Sequence, residues 1–222
     1  MKRVPTGLPV LGRGRHRSPQ QGGCVMEYAS LLAGERWSDA PSCTHPALAA
    51  LARAVNDCSG DSARQHLMCL VPDVVHALGA EGERAQLGQR LARKAALAAL
   101  QVATGVRRRT LCVALLGAEL ACGPGAPAGP DSDREAVRAL LRDPDEALRL
   151  AIRFVGRSPQ PVAYDRSGVS RTLDLAVTTI AEHGGRRADD LLRDLLVEAV
   201  AEVRGVPARQ LAAGAERVPA LV

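Results

Sequence analysis

The chain has 222 residues, 46% of them hydrophobic, and a net charge of +5, a composition that buries a sizeable core without disulfides or a structural metal. Aromatic residues make up only 2%, which argues against the base-stacking platforms of RNA-recognition and single-strand-binding domains. The longest apolar segment, 111–122, is shorter than the roughly 20 residues that cross a bilayer, so we expect no membrane partner.

Residues 1–23 carry the whole net charge, because they contain basic residues and no acidic one. Pro5 and Pro9 interrupt this segment, and its apolar stretch, 8–11, is too short for the hydrophobic region of a signal peptide. We therefore predict a flexible basic tail on a cytoplasmic protein with reduced cysteines. Phosphate or nucleic-acid contacts are weakly indicated for Arg13, Arg15 and Arg17.

The segment after the tail is predicted to contain two helices and a loop. The first helix runs from Cys24 to Ala33 and ends at Gly34, and the loop covers 35–42. Thr44 is expected to be the N-cap of the second helix, with Pro46 in its first turn. Cys24 and Cys43 would then both lie at helix starts, where the helix dipole favours a thiolate.

This arrangement leaves three interpretations open. Cys24, Cys43 and His45 are zinc-type ligands, and His16, Glu27 or Asp39 could complete the set. The two thiols could instead form a reactive or redox pair. In the third interpretation the cysteines pack in the interior, and the loop side chains satisfy backbone amides.

The rest of the chain has helical periodicity nearly everywhere. Apolar stripes predict helices from Pro46, over 84–104 and over 189–204, the last ending at Gly205. Asp143 is expected to cap a helix with Pro144 at its first position, and a helix should end at His183. Only 161–164 faintly suggests a strand. Four residues with spacing suited to metal ligands also occur, but Pro72 interrupts the helix that would align them: His66, Cys69, Asp73 and His76.

The Gly/Pro/Ala-rich segment 122–133 is predicted to be a linker. It separates an N-terminal helical module, 24–121, from a C-terminal one, 134–222. We predict an all-α, multi-helix bundle of about eight to ten helices in these two halves. Whether the halves are independent is left open by the sequence.

The run from Gly14 to Asp57 resembles a family of uncharacterised bacterial and phage proteins with the pattern GxHxSPxxGxCxMExxxxLAGExxSDxPxC, followed by ND. The matching residues are Gly14, His16, Ser18, Pro19, Cys24, Met26, Glu27, Leu32, Ala33, Gly34, Glu35, Ser38, Asp39, Pro41, Cys43, Asn56 and Asp57. The resemblance implies a module but no activity. It shifts the candidate site from His45 to five other residues: Cys24, Cys43, His16, Glu27 and Asp39.

Three functions are carried forward. The first is a small cytoplasmic binding or regulatory protein that presents the Cys24–Cys43 region to a ligand, a protein partner or a second copy of the chain. The second is a metal- or thiol-dependent enzyme, with zinc as the candidate metal and Glu27 or Asp39 as proton acceptor. The third is a nucleic-acid accessory protein that works through the basic tail. The absence of known nucleotide-binding and hydrolase motifs favours the first.

Overall fold

The computed structural model describes residues 10–122, 131–157 and 166–215 of the chain. The helices are α1 (Val25–Leu32), α2 (Pro46–Cys58), α3 (Asp61–His66), α4 (Val71–Val74), α5 (Arg84–Leu100), α6 (Gly105–Cys122), α7 (Asp131–Arg142), α8 (Glu146–Gly156), α9 (Arg166–His183), α10 (Ala188–Arg204) and α11 (Ala208–Ala215). Within the described ranges the β-structure is limited to an isolated bridge between Leu11 and Gly23. The predicted all-α, multi-helix bundle is therefore confirmed. No helix in these ranges is long and apolar enough to span a membrane.

Helices α5 and α9 form the centre of the bundle, packing against each other and against α2, α6 and α10. The alanines of α5 explain the close approach, since Ala92, Ala95 and Ala99 are fully buried and leave room for neighbouring backbones. Leu173 and Ile180 of α9 are fully buried in the same core. The small residues of the apolar stripe predicted over 84–104 are thus part of the interior.

Both predicted modules contribute to one core. Helix α9 packs on α2 and α5, and α8 packs on α6, so helices from the two sides of the Gly/Pro/Ala segment are interleaved. Cys122 ends α6, while residues 131–133 of the predicted linker belong to α7. The rest of that linker, 123–130, the faint strand at 161–164 and the chain ends 1–9 and 216–222 lie outside the described residues.

Two predicted helix caps are one or two residues away from their observed positions. His45, rather than Thr44, caps α2, because the Thr44 hydroxyl donates to the Val74 carbonyl instead. Asp145, rather than Asp143, caps α8, and its Oδ1 accepts from the Leu148 N–H at 2.8 Å. The predicted end of α10 is correct, since Gly205 adopts the left-handed conformation with φ 66°.

Residues 10–23 correct the prediction of a flexible tail. Leu11 is buried, its N–H donates to the Gln65 side chain, and the Gly12 N–H donates to the Gly23 carbonyl. The Gly14 N–H donates to Asp57 Oδ1 at 2.8 Å. This segment is ordered because its backbone donors find acceptors on α2 and α3, an arrangement that local composition does not reveal.

Candidate functional site

The buried carboxylate of Glu27 organises the N-terminal segment. Its Oε1 accepts from the His16 N–H at 2.7 Å, and its Oε2 accepts from the Cys24 N–H at 2.8 Å. The same Oε2 lies 2.9 Å from His16 Nδ1. Glu27 stands at the third position of α1 and Cys24 at its N-cap, so the two form a capping box. Of the five candidate site residues, His16, Cys24 and Glu27 therefore lie together, and their polar groups bond to one another.

Trp37 covers this cluster from the loop after α1. Its indole N–H donates to the His16 carbonyl at 2.9 Å, and its ring meets that of Tyr28 edge to face with centroids 5.6 Å apart. A side chain at Gly23 would place its Cβ 2.7 Å from the indole, which explains the glycine there. The cluster is closed to large ligands by this packing.

The thiol of Cys24 is inert in this environment. Cys24 is 1% exposed, and burial, reinforced by the Glu27 charge, raises the pKa of its thiol to about 12. The expected activation by the α1 dipole is therefore wrong: the desolvation of a thiolate outweighs the hydrogen bonds that the helix start supplies.

We expect Cys24 to resist alkylation in the folded protein. The raised pKa lowers the thiolate fraction near neutral pH roughly a thousandfold relative to an ordinary thiol. Iodoacetamide labelling at pH 8 followed by peptide mass spectrometry should leave Cys24 unmodified, whereas the same treatment in guanidinium chloride should label it. Rapid labelling of Cys24 in the folded protein would restore the reactive-thiol interpretation.

Cys43 and Asp39 contact other residues and not the hydrogen-bonded cluster of His16, Cys24 and Glu27. Cys43 is buried, with its Sγ 3.7 Å from the Thr44 hydroxyl oxygen. Hydrogen bonds from Ser42 lower the pKa of the Glu35 carboxyl, and Cys43 adds to that effect. Asp39 faces arginines instead, with Oδ1 3.7 Å from Arg15 Nε.

The predicted zinc site is therefore not assembled. Across residues 10–122, 131–157 and 166–215, no group of three or more His, Cys, Asp or Glu side chains is arranged to hold a metal ion. The second constellation, His66, Cys69, Asp73 and His76, fails as well, because the chain changes from α3 to a 3-10 turn at 67–70 before α4 begins at Val71. There the Cys69 thiol donates to the His66 carbonyl.

The three arginines of the predicted phosphate contact are all exposed to solvent. Arg13, Arg15 and Arg17 are exposed and alternate with Gly14 and His16, whose N–H groups point inward to Asp57 and Glu27. The segment thus displays its arginines from an anchored backbone. Arg15 is 74% exposed in its side chain, so its contact with Asp39 is weak.

A cleft of about 730 Å³ opens between α2, α5 and α9, next to the loop that carries Cys43. Its floor consists of small residues, among them Ala47, Ala49 and Gly88. Its polar lining is formed by Ser42, Thr44, His45, Arg53, Arg84, Gln89, Arg166 and Ser170. Of the described residues that line it, none is acidic, so the cleft has positive charge from three arginines.

His45 in this cleft is a neutral structural histidine. Its Nδ1 accepts from the Ala47 N–H at 3.2 Å, which leaves the proton on Nε2, 3.1 Å from the Arg84 carbonyl. Burial lowers the pKa of His45, and the charges of Arg84 and Arg166 lower it further. Both ring nitrogens are thus occupied, and His45 is neither a metal ligand nor a free base.

The arginines of the cleft were missed by sequence reasoning. Arg53, Arg84 and Arg166 come from three helices that are far apart in the chain. No local spacing connects them, and only the packing of α2 and α5 against α9 brings them together.

No protein-family model, no curated protein and no solved structure matches this chain.

Proposed function

We propose that this protein is a small binding or regulatory protein that takes a small-molecule ligand in the cleft between α2, α5 and α9. The cleft is lined by Ser42 and Thr44, the two neighbours of Cys43. The proposed ligand site therefore lies in the Cys43 region that the sequence analysis favoured. The thiols themselves have no direct role in this proposal.

The observation that carries the proposal is the size and lining of the cleft. A volume of about 730 Å³ is within the range of ordinary ligand sites, roughly 300–1,000 Å³. Small side chains such as Ala47 and Ala85 leave the space open, and polar groups such as Gln89 and Ser170 stand around it. This combination of an apolar floor and a few convergent polar groups is typical of a ligand site.

A binding role is favoured over catalysis because the side chains that could react are buried or already engaged in hydrogen bonds. Glu27 and His16 bond to each other, and His45 has both nitrogens engaged. The Cys24 thiol is buried and its pKa is raised. The thiol-enzyme alternative would need at least one of these groups to be exposed and available to a substrate.

We expect a ligand to be detectable by amide chemical-shift mapping. A mixed set of neutral, cationic and anionic metabolites should contain a compound that shifts the amides of Ala47, Ala85 and Gly88 saturably. Ala85→Trp should fill the cleft and weaken that compound at least about tenfold. Ala121→Trp, at an exposed alanine of α6 outside the cleft, should leave the affinity unchanged.

Two results would contradict the proposal. In one, no compound in the set shifts the cleft amides. In the other, the shifts centre on Glu27 and Cys24 and are insensitive to Ala85→Trp, which would return the site to the motif residues.

A further inference from the structure

Resting on the proposed function, we infer that the ligand of the cleft is a compact aliphatic polyanion, with two or more phosphate or carboxylate groups held by Arg53, Arg84 and Arg166. These guanidinium groups come from α2, α5 and α9 and line one concavity together. No described acidic residue lines the cleft to balance these charges, so an anion bound there gains favourable Coulomb energy from them.

Two of the arginines are held in place by backbone carbonyls. Arg53 Nη1 donates to the Asp39 carbonyl at 2.7 Å, and Arg84 Nε donates to the Gly79 carbonyl at 3.2 Å. Each bond uses one nitrogen of a planar fork and fixes the direction of the others. A guanidinium fixed in this way is suited to bidentate recognition of a phosphate or carboxylate.

The neighbouring charges leave the cleft positive. Asp39 is the nearest carboxylate to Arg53, with Oδ2 4.0 Å from Nε, and it also faces Arg15. Asp39 does not line the cleft, and neither does any other described acidic residue. The α2 dipole acts in the same direction, because Pro46, at the first position of α2, lines the cleft and so places the positive end of the dipole there.

The lining also limits the body of the ligand. Among the described lining residues there is no Phe, Tyr or Trp on which a nucleobase would stack, and the ring of His45 is buried. The floor of alanines and Gly88 suits a short carbon skeleton. A sugar bisphosphate or a small polycarboxylate fits these requirements better than a nucleotide.

Calorimetric titration of the full chain tests the inference with matched probes. Fructose 1,6-bisphosphate and citrate are the polyanions, fructose is the neutral counterpart, and inorganic phosphate is the single anion. We expect at least one polyanion to bind, fructose not to bind, and the affinity to fall as sodium chloride is raised. The relative affinities of fructose 1,6-bisphosphate and citrate distinguish recognition of phosphate groups from recognition of carboxylate groups.

Substitution of the three cleft arginines is the second part of the test. Arg53→Gln, Arg84→Gln and Arg166→Gln should each weaken the polyanion about tenfold, or about 1.4 kcal/mol. Arg171→Gln is the matched control, since Arg171 is an exposed arginine of α9 that does not line the cleft. Circular dichroism melting of each variant separates lost binding from lost folding.

The outcomes distinguish the two proposals. If a neutral or cationic compound occupies the cleft and no polyanion does, the inference is overturned and the proposed function remains. If Arg171→Gln weakens binding as much as Arg84→Gln, the contact is nonspecific and the inference also falls. If no compound of any charge enters the cleft, both proposals fall.

Discussion

Replacing Glu27 with alanine is expected to reduce the free energy of unfolding by about 3–5 kcal/mol. The Glu27 side chain is 0% exposed and accepts hydrogen bonds from the backbone N–H groups of His16 and Cys24. Its removal leaves these donors buried without an acceptor and detaches the segment of residues 10–23 from α1. Urea unfolding followed by circular dichroism measures the change.

Glu146→Ala is the matched control for this prediction. Glu146 is an exposed carboxylate in the first turn of α8, as Glu27 is a buried one in the first turn of α1. The control should cost no more than about 0.5 kcal/mol. A Glu27→Ala protein that is as stable as the parent, or more stable, would indicate a strained functional carboxylate and contradict the structural role assigned here.

Replacing Glu202 with glutamine is expected to reduce the free energy of unfolding by about 1.5–3 kcal/mol. Glu202 Oε1 lies 2.7 Å from Arg90 Nε, and Oε2 lies 3.4 Å from Lys94 Nζ. The side chain of Glu202 is 1% exposed, and those of both cations are 6% exposed. Glutamine keeps the shape but removes one carboxylate from each cation, so that Arg90 keeps Glu83 and Lys94 keeps Asp133, each at 2.8 Å. Urea unfolding again provides the measurement.

Comparing Glu198→Gln with Glu202→Gln separates the effect of burial from the effect of charge, because each change removes one carboxylate near Lys94. Glu198 lies 3.8 Å from the same Lys94 ammonium, but its side chain is 55% exposed. We expect it to cost less than about 1 kcal/mol. The double variant Arg90→Met/Glu202→Met should cost less than the sum of its single changes, because it removes both partners of a buried pair. Equal losses for Glu198→Gln and Glu202→Gln would contradict this view.

The fold class was predictable because the helical spacing of apolar residues can be read from the sequence without knowing how the helices pack. Apolar spacing predicted α2, α5 and α10, and Gly205 marked the end of α10 where it is observed. The caps were less predictable, since competition among neighbouring polar residues decides them. Thr44 is the stronger N-cap by type, yet its hydroxyl bonds to Val74 and leaves the α2 cap to His45.

The site was only partly predictable. His16, Cys24 and Glu27 are close in sequence and do meet, but the sequence does not reveal that they are buried and bonded to one another. Burial decides their chemistry, because it turns a dipole-activated thiol into an inert one. The resemblance of residues 14–57 to a known family stays a prediction.

The cleft could not be predicted from patterns within any one stretch of the sequence. The order of helix packing creates it, and its charged residues, Arg53, Arg84 and Arg166, are separated by long stretches of chain. Hydrophobic patterning specifies which faces are buried, but it does not specify which exposed arginines become neighbours. A composition with balanced charge outside the first 23 residues gave no reason to expect a positive concavity.

The most direct test is a calorimetric comparison of Cys24→Ala with Arg84→Gln below the melting temperature of each variant. Both are titrated with whichever of fructose 1,6-bisphosphate and citrate binds the parent protein more tightly. If the motif residues are structural and the cleft binds the ligand, Cys24→Ala keeps the parent affinity within about twofold and Arg84→Gln weakens it at least about tenfold. Loss of binding in Cys24→Ala with full binding in Arg84→Gln would contradict the account.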